Sequence, residues 1–150
     1  MKGVWNMTMV SDMLKSKGNQ VWFVSPNSDM LEALKIMAEK EVGALLVLEG
    51  DQIRGIVSER DFARAVAKEE RCSLNTTILE YMTKDVVTVT PDQSLEDCMR
   101  LMTKEHIRHL PVVEDNKVIG LISIGDVVKG LLSGKDSTIN HLENYIEGRW

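Results

Sequence analysis

The chain reads GIVSERD at Gly55–Asp61 and, 65 residues later, GLISIGD at Gly120–Asp126. The agreement extends on both sides without a gap, so that Val24–Val66 aligns with Val89–Leu131 at the same offset. The matched pairs include Pro26 with Pro91, Met37 with Met102, Leu45 with Leu110, and Val47 with Val112. A constant offset across a whole supersecondary unit indicates an internal duplication. The groove between two duplicated units is a natural place for a ligand.

Length and composition exclude several classes of protein. A chain of 150 residues can form one good core, or two small cores that share an interface. Its 43% hydrophobic and 27% charged residues are typical of a soluble globular protein. The net charge of −5 argues against a protein that binds along a nucleic-acid backbone. The sequence contains no apolar run of about 18 residues, so no membrane span is predicted.

The N-terminus and the cysteines indicate the compartment. Met1–Thr8 is too short and too polar for the hydrophobic part of a secretory signal. Cys72 and Cys98 show neither metal-ligand spacing nor a CxxC pair. We therefore expect a cytoplasmic protein, with an organelle as the alternative location.

Each copy of the repeat is predicted to form a strand, a helix, two strands and a second helix. In the first copy, the helical spacing of Met30, Leu34, Met37 and Ala38 predicts one apolar stripe. Ala44–Leu48 predicts a strand covered on both faces, followed by a hairpin turn. The predicted boundaries are 9–70 for the first repeat, 71–77 for a linker, 78–135 for the second repeat, and 136–150 for a C-terminal helical tail.

The second copy supports the same register. Leu95, Met99 and Met102 repeat the apolar stripe of the first copy. Ahead of this copy, Ile78–Thr83 echoes Ser11–Lys15 if three residues are treated as an insertion. The duplication therefore includes a short segment that precedes each copy.

The motif that ends each copy combines a strand glycine, a serine and an aspartate. Ser58 and Ser123 are predicted N-caps, with Asp61 and Asp126 at the third helical position. A glycine inside a strand indicates close approach by another backbone or by a ligand. A carboxylate in the first turn of a helix can accept the vicinal hydroxyls of a ribose, and the N–H groups of that turn favour anions.

These motifs, together with IRHLPVV at Ile107–Val113 and VTVTP at Val87–Pro91, strongly resemble a CBS-domain pair, also called a Bateman module. The resemblance covers roughly residues 9–132 and is closest to the small stand-alone members of bacteria and organelles. It implies an α/β fold of the mixed α+β type, with tandem βαββα units related by a pseudo-twofold axis. It also implies that an adenosine nucleotide binds in clefts between the repeats. AMP is the ligand expected first, and ATP, ADP, NAD and S-adenosylmethionine are alternatives.

The resemblance also implies roles for individual residues. Asp61 and Asp126 would contact ribose hydroxyls, and Ser58 and Ser123 would line the same turns. The segment around Thr88–Thr90 would lie against the adenine. The predicted cofactor-binding residues are Ser58, Arg60, Asp61, Thr88, Thr90, Arg108, His109, Pro111, Ser123 and Asp126.

The two copies differ in their cationic residues. Arg60 precedes the aspartate of the first copy, where the second copy has Gly125. Arg108 and His109 stand where the first copy has Gly43-Ala44. Because guanidinium groups bind phosphate in a bidentate manner, we hypothesise that the clefts differ in nucleotide affinity and that these three cationic residues contact phosphate. Two identical sites in calorimetry, or unchanged affinity in Arg108→Ala, would contradict this hypothesis.

The predicted function is a regulatory module, not an enzyme, that converts the level of an adenosine nucleotide into a conformational or assembly signal. We expect a homodimer formed through helices of the repeats, with an effector protein as a further partner, and neither nucleic acid nor membrane. His106 and His109 offer no third ligand, so no metal site is predicted. The alternatives are a structural dimerisation module with non-functional clefts and, less favoured, a nucleotide-processing enzyme.

Overall fold

A computed structural model describes residues 8–18 and 20–133. The predicted helical tail at 136–150 lies outside these residues. The described elements are α1 (Val10–Lys17), β1 (Phe23–Val24), α2 (Met30–Lys40), β2 (Ala44–Glu49), β3 (Gln52–Ser58), α3 (Glu59–Glu69), a 3-10 helix (Ile78–Glu80), α4 (Leu95–Glu105), β4 (His109–Glu114), β5 (Lys117–Ser123) and α5 (Ile124–Leu131).

The chain forms two compact units, and each contains one copy of the repeat. Among the described residues, the repeat-one unit comprises Val21–Val86, and the repeat-two unit comprises residues 8–18, Gln20 and residues 87–133. Helix α1 therefore belongs to the repeat-two unit although it precedes the first copy in sequence. The 3-10 helix in turn belongs to the repeat-one unit. The predicted mixed α/β fold is confirmed.

The sheet of the repeat-one unit has the order β1-β2-β3. Strand β1 is parallel to β2, which is antiparallel to β3, so β2 lies at the centre. The predicted hairpin between β2 and β3 is confirmed, and its turn includes Gly50 with a φ of 64°. Along β2, Ala44, Leu45, Leu46 and Val47 are all buried, as predicted from their continuous apolar run.

The sheet of the repeat-two unit has only the two antiparallel strands β4 and β5. The predicted first strand of this copy is wrong, because it is reduced to a single parallel bridge between Val89 and Val112. In the repeat-one unit, the N–H of Leu46 donates to the carbonyl of Trp22 at 3.4 Å and extends the parallel pairing. Pro111 occupies the position of Leu46 and has no N–H, so the same bond cannot form.

The apolar stripe of α2 differs by one position from the prediction. Met30, Ala33 and Met37 are buried, whereas Ala38 is exposed. The spacing of the buried face is therefore i, i+3, i+7, and Ala38 lies one residue beyond it. The matching face of α4 is formed by Leu95, Cys98 and Met102.

Each unit has its own hydrophobic core. In each unit, the buried faces of the sheet and of the helices pack against the segment that precedes the other copy. The repeat-one core consists of Val24, Met30, Ala33, Met37, Leu45, Val47, Val57 and Ile78. The repeat-two core consists of Val10, Met13, Leu14, Val89, Leu95, Cys98, Met102, Leu110, Val112, Ile122 and Val127.

The segment that precedes each copy packs in the unit of the other copy, and we call these two stretches, Val10–Lys17 and Ile78–Thr83, the exchanged segments. They occupy equivalent places in the two units. The N–H of Val10 donates to the carbonyl of Gln93 at 2.9 Å, and the N–H of Ile78 donates to the carbonyl of Ser28 at 3.0 Å. Val10 and Ile78 are both completely buried. The predicted echo between the two segments is confirmed. Val10 and Ile78 are equivalent, and their separation exceeds the 65-residue offset of the copies by the predicted three-residue insertion.

The strand glycines allow these segments to approach closely, as predicted for glycines inside strands. A Cβ added at Gly120 would lie 2.5 Å from Leu14 Cδ2. A Cβ added at Gly55 would lie 2.7 Å from Met82 Sδ and 2.8 Å from the carbonyl oxygen of Thr83. The groups that approach these glycines belong to the protein itself.

Candidate ligand-binding site

The turn from β5 into α5 contains a complete capping box. The N–H of Asp126 donates to Ser123 Oγ at 3.2 Å, and the N–H of Ser123 donates to Asp126 Oδ2 at 2.8 Å. The predicted roles of Ser123 as N-cap and Asp126 at the third helical position are confirmed. The box holds the Asp126 carboxylate in one orientation at the helix N-terminus.

A lysine from α1 completes this turn. Lys17 Nζ donates to Asp126 Oδ2 at 2.6 Å and to the carbonyl oxygen of Leu121 at 2.8 Å. The side chains of Lys17 and Asp126 are 34% and 21% exposed, so both groups are accessible from solvent. The turn therefore carries a partly exposed ion pair.

The turn from β3 into α3 has the same cap but a different carboxylate environment. The N–H of Asp61 donates to Ser58 Oγ at 3.0 Å, which confirms Ser58 as the N-cap. The reciprocal bond to the Asp61 carboxylate is not formed. Arg60 lies between them on the exposed side of the first turn. The two turns therefore differ chiefly in how the aspartate is held.

Three further predicted residues lie on β4 or directly before it, next to the turn that contains Asp126. The carbonyl of Arg108 accepts the N–H of Ile124 at 2.9 Å, where α5 begins. His109 is the direct partner of Ser123 across the antiparallel pair, so their side chains project from the same face of the sheet. Pro111 follows two residues later and shares that face.

The two predicted threonines flank the bridge between Val89 and Val112. Thr88 and Thr90 are exposed, whereas Val89 is buried in the core. Because side chains alternate along an extended chain, both threonines project from the face opposite to the core. The N–H of Thr90 donates to Gln93 Oε1 at 2.9 Å, and its hydroxyl donates to the carboxylate of Asp92.

The structure thus divides the predicted site residues between the two units. The repeat-one unit holds Ser58, Arg60 and Asp61. The repeat-two unit holds Thr88, Thr90, Arg108, His109, Pro111, Ser123 and Asp126. In the repeat-two unit they are placed around one side of the sheet and the start of α5, together with Lys17.

Lys17 was not among the residues predicted from the sequence. A lysine in the last turn of a helix is ordinarily explained by the helix dipole, and 109 positions separate it from Asp126. The echo between the two preceding segments gave no signal for this contact, because it does not specify which sheet each segment covers.

Within the parts of the chain that the structure covers, no group of three or more His, Cys, Asp or Glu side chains could hold a metal ion. Burial, and secondarily the nearby charge of Asp97, raises the pKa of the Cys98 thiol from 9.0 to about 11. No helix among the described residues is long and apolar enough to span a membrane.

Matched strand-to-helix turns on two copies of a mixed α/β unit define a protein built from tandem repeats. The chain belongs to the CBS-domain family, because the model of the CBS domain matches residues 10–68 and 78–133. Since both copies match, the protein is a CBS-domain pair, as its resemblance to that module implied.

Similar proteins with known sequences include two CBS-domain proteins. CBS domain-containing protein CBSX3, mitochondrial, from Arabidopsis thaliana, is 37% identical over 94% of this chain and 73% of its own length. CBS domain-containing protein YhcV from Bacillus subtilis is 33% identical over 87% of this chain and 91% of its own length.

Solved structures show the same fold. A putative signal-transduction protein with CBS domains from Burkholderia ambifaria is 50% identical, with a TM-score of 0.79 over 83% of this chain and 94% of that one. The CBS-domain pair of protein MJ0100, solved in complex with 5′-methylthioadenosine and S-adenosyl-L-methionine, is 27% identical, with a TM-score of 0.72 over 82% of this chain and 94% of that one. The CBS-CP12 protein from bloom-forming cyanobacteria, which is hexameric, is 27% identical, with a TM-score of 0.72 over 83% of this chain and 72% of that one.

Proposed function

We propose that this protein is a regulatory module that binds an adenosine-containing ligand at the turn from β5 into α5 and at the turn from β3 into α3. Ligand binding would be converted into a conformational or assembly signal, without a chemical reaction. AMP is the ligand expected first, and Arg60, Arg108 and His109 near the two turns are the proposed contacts for its phosphate. ATP, ADP, NAD and S-adenosylmethionine are the alternatives.

The observation that carries this proposal is the state of the Asp126 carboxylate. Both of its protein partners, the N–H of Ser123 and Nζ of Lys17, bind Oδ2. Within the described part of the chain, no partner is found for Oδ1. The carboxylate is therefore held in place with one oxygen available to hydroxyl donors, and the two neighbouring hydroxyls of a ribose are donors of that kind.

Two further observations support the choice of ligand. Thr88, Thr90 and His109 are at least partly exposed and share the face of the repeat-two sheet beside this carboxylate, whereas Pro111 on the same face is buried. In addition, the MJ0100 pair was solved with 5′-methylthioadenosine and S-adenosyl-L-methionine, and both of these molecules contain an adenosine ribose.

Thermal shift and calorimetry with AMP, ATP, ADP, NAD and S-adenosylmethionine test the proposal. A ligand at about one hundred times its Kd adds about 2.7 kcal/mol to the free energy of unfolding. For a chain of this size each kcal/mol raises Tm by about 2–4 °C. We therefore expect at least one of these ligands to raise Tm by several degrees.

Three isosteric variants separate ribose binding from helix capping. Asp61→Asn and Asp126→Asn remove the charge of each proposed carboxylate and are expected to weaken binding. Asp97→Asn is the matched control for Asp61→Asn, because Asp97 occupies the same position in α4, where its N–H donates to Ser94 Oγ at 3.0 Å and no capping box is formed. A Tm unaffected by all five ligands would contradict the proposal and favour a structural dimerisation module. Equal loss of binding in Asp97→Asn would show that capping alone explains the effect.

Self-association through the helices is the proposed route for the signal. Helix α3 has no buried residue, and Phe62, Ala65 and Val66 along it are only half-buried. This surface supports a homodimer, and a separate effector protein is the alternative receiver. Sedimentation velocity with and without AMP tests this step, and a monomer at all concentrations in both conditions would contradict self-association.

A further inference from the structure

The ammonium group of Lys17 retains one hydrogen-bond donor. Two of its three N–H groups are directed at Asp126 Oδ2 and at the carbonyl oxygen of Leu121. Within the residues that the structure describes, the third has no acceptor. Because the side chain is 34% exposed, an acceptor from solution can reach it.

The ion pair therefore offers one acceptor and one donor side by side. Asp126 Oδ1 can accept a hydroxyl hydrogen, while the third N–H of Lys17 donates to an oxyanion of the same ligand. Neither contact requires the bond between Lys17 and Asp126 to break. The ion pair can thus remain intact when a ligand binds.

The charges of Lys17 and Asp126 determine which ligand binds more tightly. An isolated carboxylate beside a bound nucleoside would repel the phosphate of a nucleotide. Lys17 neutralises Asp126 at a distance of 2.6 Å and adds a charge-assisted donor for the phosphate. The bond to the Leu121 carbonyl keeps the ammonium at this place rather than in solvent.

We propose that Lys17 makes the Asp126 site selective for phosphorylated nucleosides over the corresponding unphosphorylated nucleosides. The inference rests on the proposed function, and it assigns to Lys17 the contact that determines this preference. It is separate from the earlier hypothesis about Arg108 and His109, since Lys17 reaches the site from α1, a segment that precedes the first copy.

The repeat-one unit provides an internal comparison. The bonds of Val10 and Ile78 show that the two preceding segments are equivalent, and the same alignment places Asp85 at the position of Lys17. An acidic residue therefore stands in the repeat-one unit at the position that Lys17 occupies in the repeat-two unit.

Calorimetry with AMP and adenosine, which differ only in the phosphate, tests the inference. Asp61→Asn serves as the background, so that the titration reports on the Asp126 site. In this background, Lys17→Ala is expected to weaken AMP binding about tenfold or more, the effect of losing a charge-assisted hydrogen bond. Adenosine binding is expected to change less than about threefold.

Two further variants control for structure and for net charge. Lys17→Arg keeps the cation and is expected to retain the preference for AMP. Lys15→Ala removes the same charge from an exposed position of α1 and is expected to leave both affinities unchanged. Thermal unfolding of each variant without ligand shows whether the fold is kept.

The outcomes separate this inference from the proposed function. If Lys17→Ala weakens both ligands equally, tightens both, or leaves their ratio unchanged, the inference is wrong while ribose binding stands. If the Asp61→Asn background binds neither ligand although the wild type binds AMP, the Asp126 site is not used and the inference is again wrong. If the wild type binds none of the adenosine ligands, the proposed function fails and this inference fails with it.

Discussion

Leu14 packs directly on Gly120, so closely that a Cβ at position 120 would lie 2.5 Å from Leu14 Cδ2 and 3.2 Å from Cδ1. Leu14 belongs to α1, which precedes the first copy, whereas Gly120 lies on the last strand of the second copy. The strand glycine is therefore explained by a packing contact with the exchanged segment. Similar contacts hold the equivalent segment against Gly55.

Gly120→Ala is expected to lower the free energy of unfolding by about 1–3 kcal/mol, because the added methyl group overpacks the contact with Leu14. Urea unfolding measures this change. Gly125→Ala is the matched control on the neighbouring helix. Its added Cβ would meet only Ser123 Oγ at 3.7 Å, so it should be neutral or stabilise α5 by up to about 1 kcal/mol. An unchanged unfolding midpoint in Gly120→Ala would contradict this account.

Gly55→Ala is expected to cost more than Gly120→Ala. The added Cβ would lie 2.8 Å from the carbonyl oxygen of Thr83, which accepts the N–H of Ile56 at 3.0 Å. A side chain such as that of Leu14 can change rotamer, but this carbonyl cannot move without losing its hydrogen bond. We expect the difference to be about 1 kcal/mol, the net value of a backbone hydrogen bond.

The same urea titrations test this order. Gly43→Ala is the control for the repeat-one unit, because its added Cβ would meet only Glu59 Oε1 at 3.4 Å. A smaller loss of stability in Gly55→Ala than in Gly120→Ala would show that the backbone contact is easily relaxed.

The two cysteines are expected to differ in reactivity. Cys72 is exposed, whereas Cys98 is completely buried and its thiol pKa is raised to about 11. A thiol reagent at pH 8 should therefore modify Cys72 in the folded protein and reach Cys98 only after unfolding. Rapid modification of Cys98 in folded Cys72→Ala would contradict the buried position.

The pKa of Cys98 also predicts a pH dependence of stability. Below pH 9 the thiol is protonated in the folded and unfolded states, so its contribution is fully present. As the pH rises from about 9 to about 11, only the unfolded state loses the proton, and the free energy of unfolding falls. Cys98→Ala introduces the residue found at the equivalent position 33 and should remove this part of the dependence. An unchanged slope in that variant would assign the dependence to other groups.

Pro111→Leu is expected to lengthen the parallel pairing in the repeat-two unit. The substitution introduces the residue found at position 46 and restores an N–H that can donate to the carbonyl of Val87. Hydrogen exchange should then show a protected amide at position 111, similar to that of Leu46. The reverse change, Leu46→Pro, removes an existing bond and should cost at least about 1 kcal/mol, the net value of a backbone hydrogen bond. Exchange at position 111 as fast as in exposed turns would contradict the explanation of the missing strand.

Much of the fold was predictable because its signals are local. The hairpins follow from short apolar runs and turn residues, and the helix starts at Ser58 and Ser123 follow from side chains that bond the backbone three residues away. The 65-residue offset then doubled the evidence for each element. The absent first strand of the second copy was also visible in principle, because Pro111 replaces Leu46 in the alignment.

The composition of the two units was not predictable in the same way. The echo between Ser11–Lys15 and Ile78–Thr83 showed that each copy has a preceding segment, but a periodic pattern does not specify which sheet a segment covers. Packing across the chain settles that choice, and it brings Leu14 to Gly120 and Met82 to Gly55.

The amino-acid order therefore established the duplication, the elements of each copy and the residues that begin their last helices, since all of these depend on neighbours in the chain. It also identified Asp61 and Asp126 as the candidate ligand-binding carboxylates. The difference between those carboxylates emerged only in three dimensions. Lys17 meets Asp126 because α1 packs on the distant copy, and a contact between residues 109 positions apart leaves no periodic trace in the sequence.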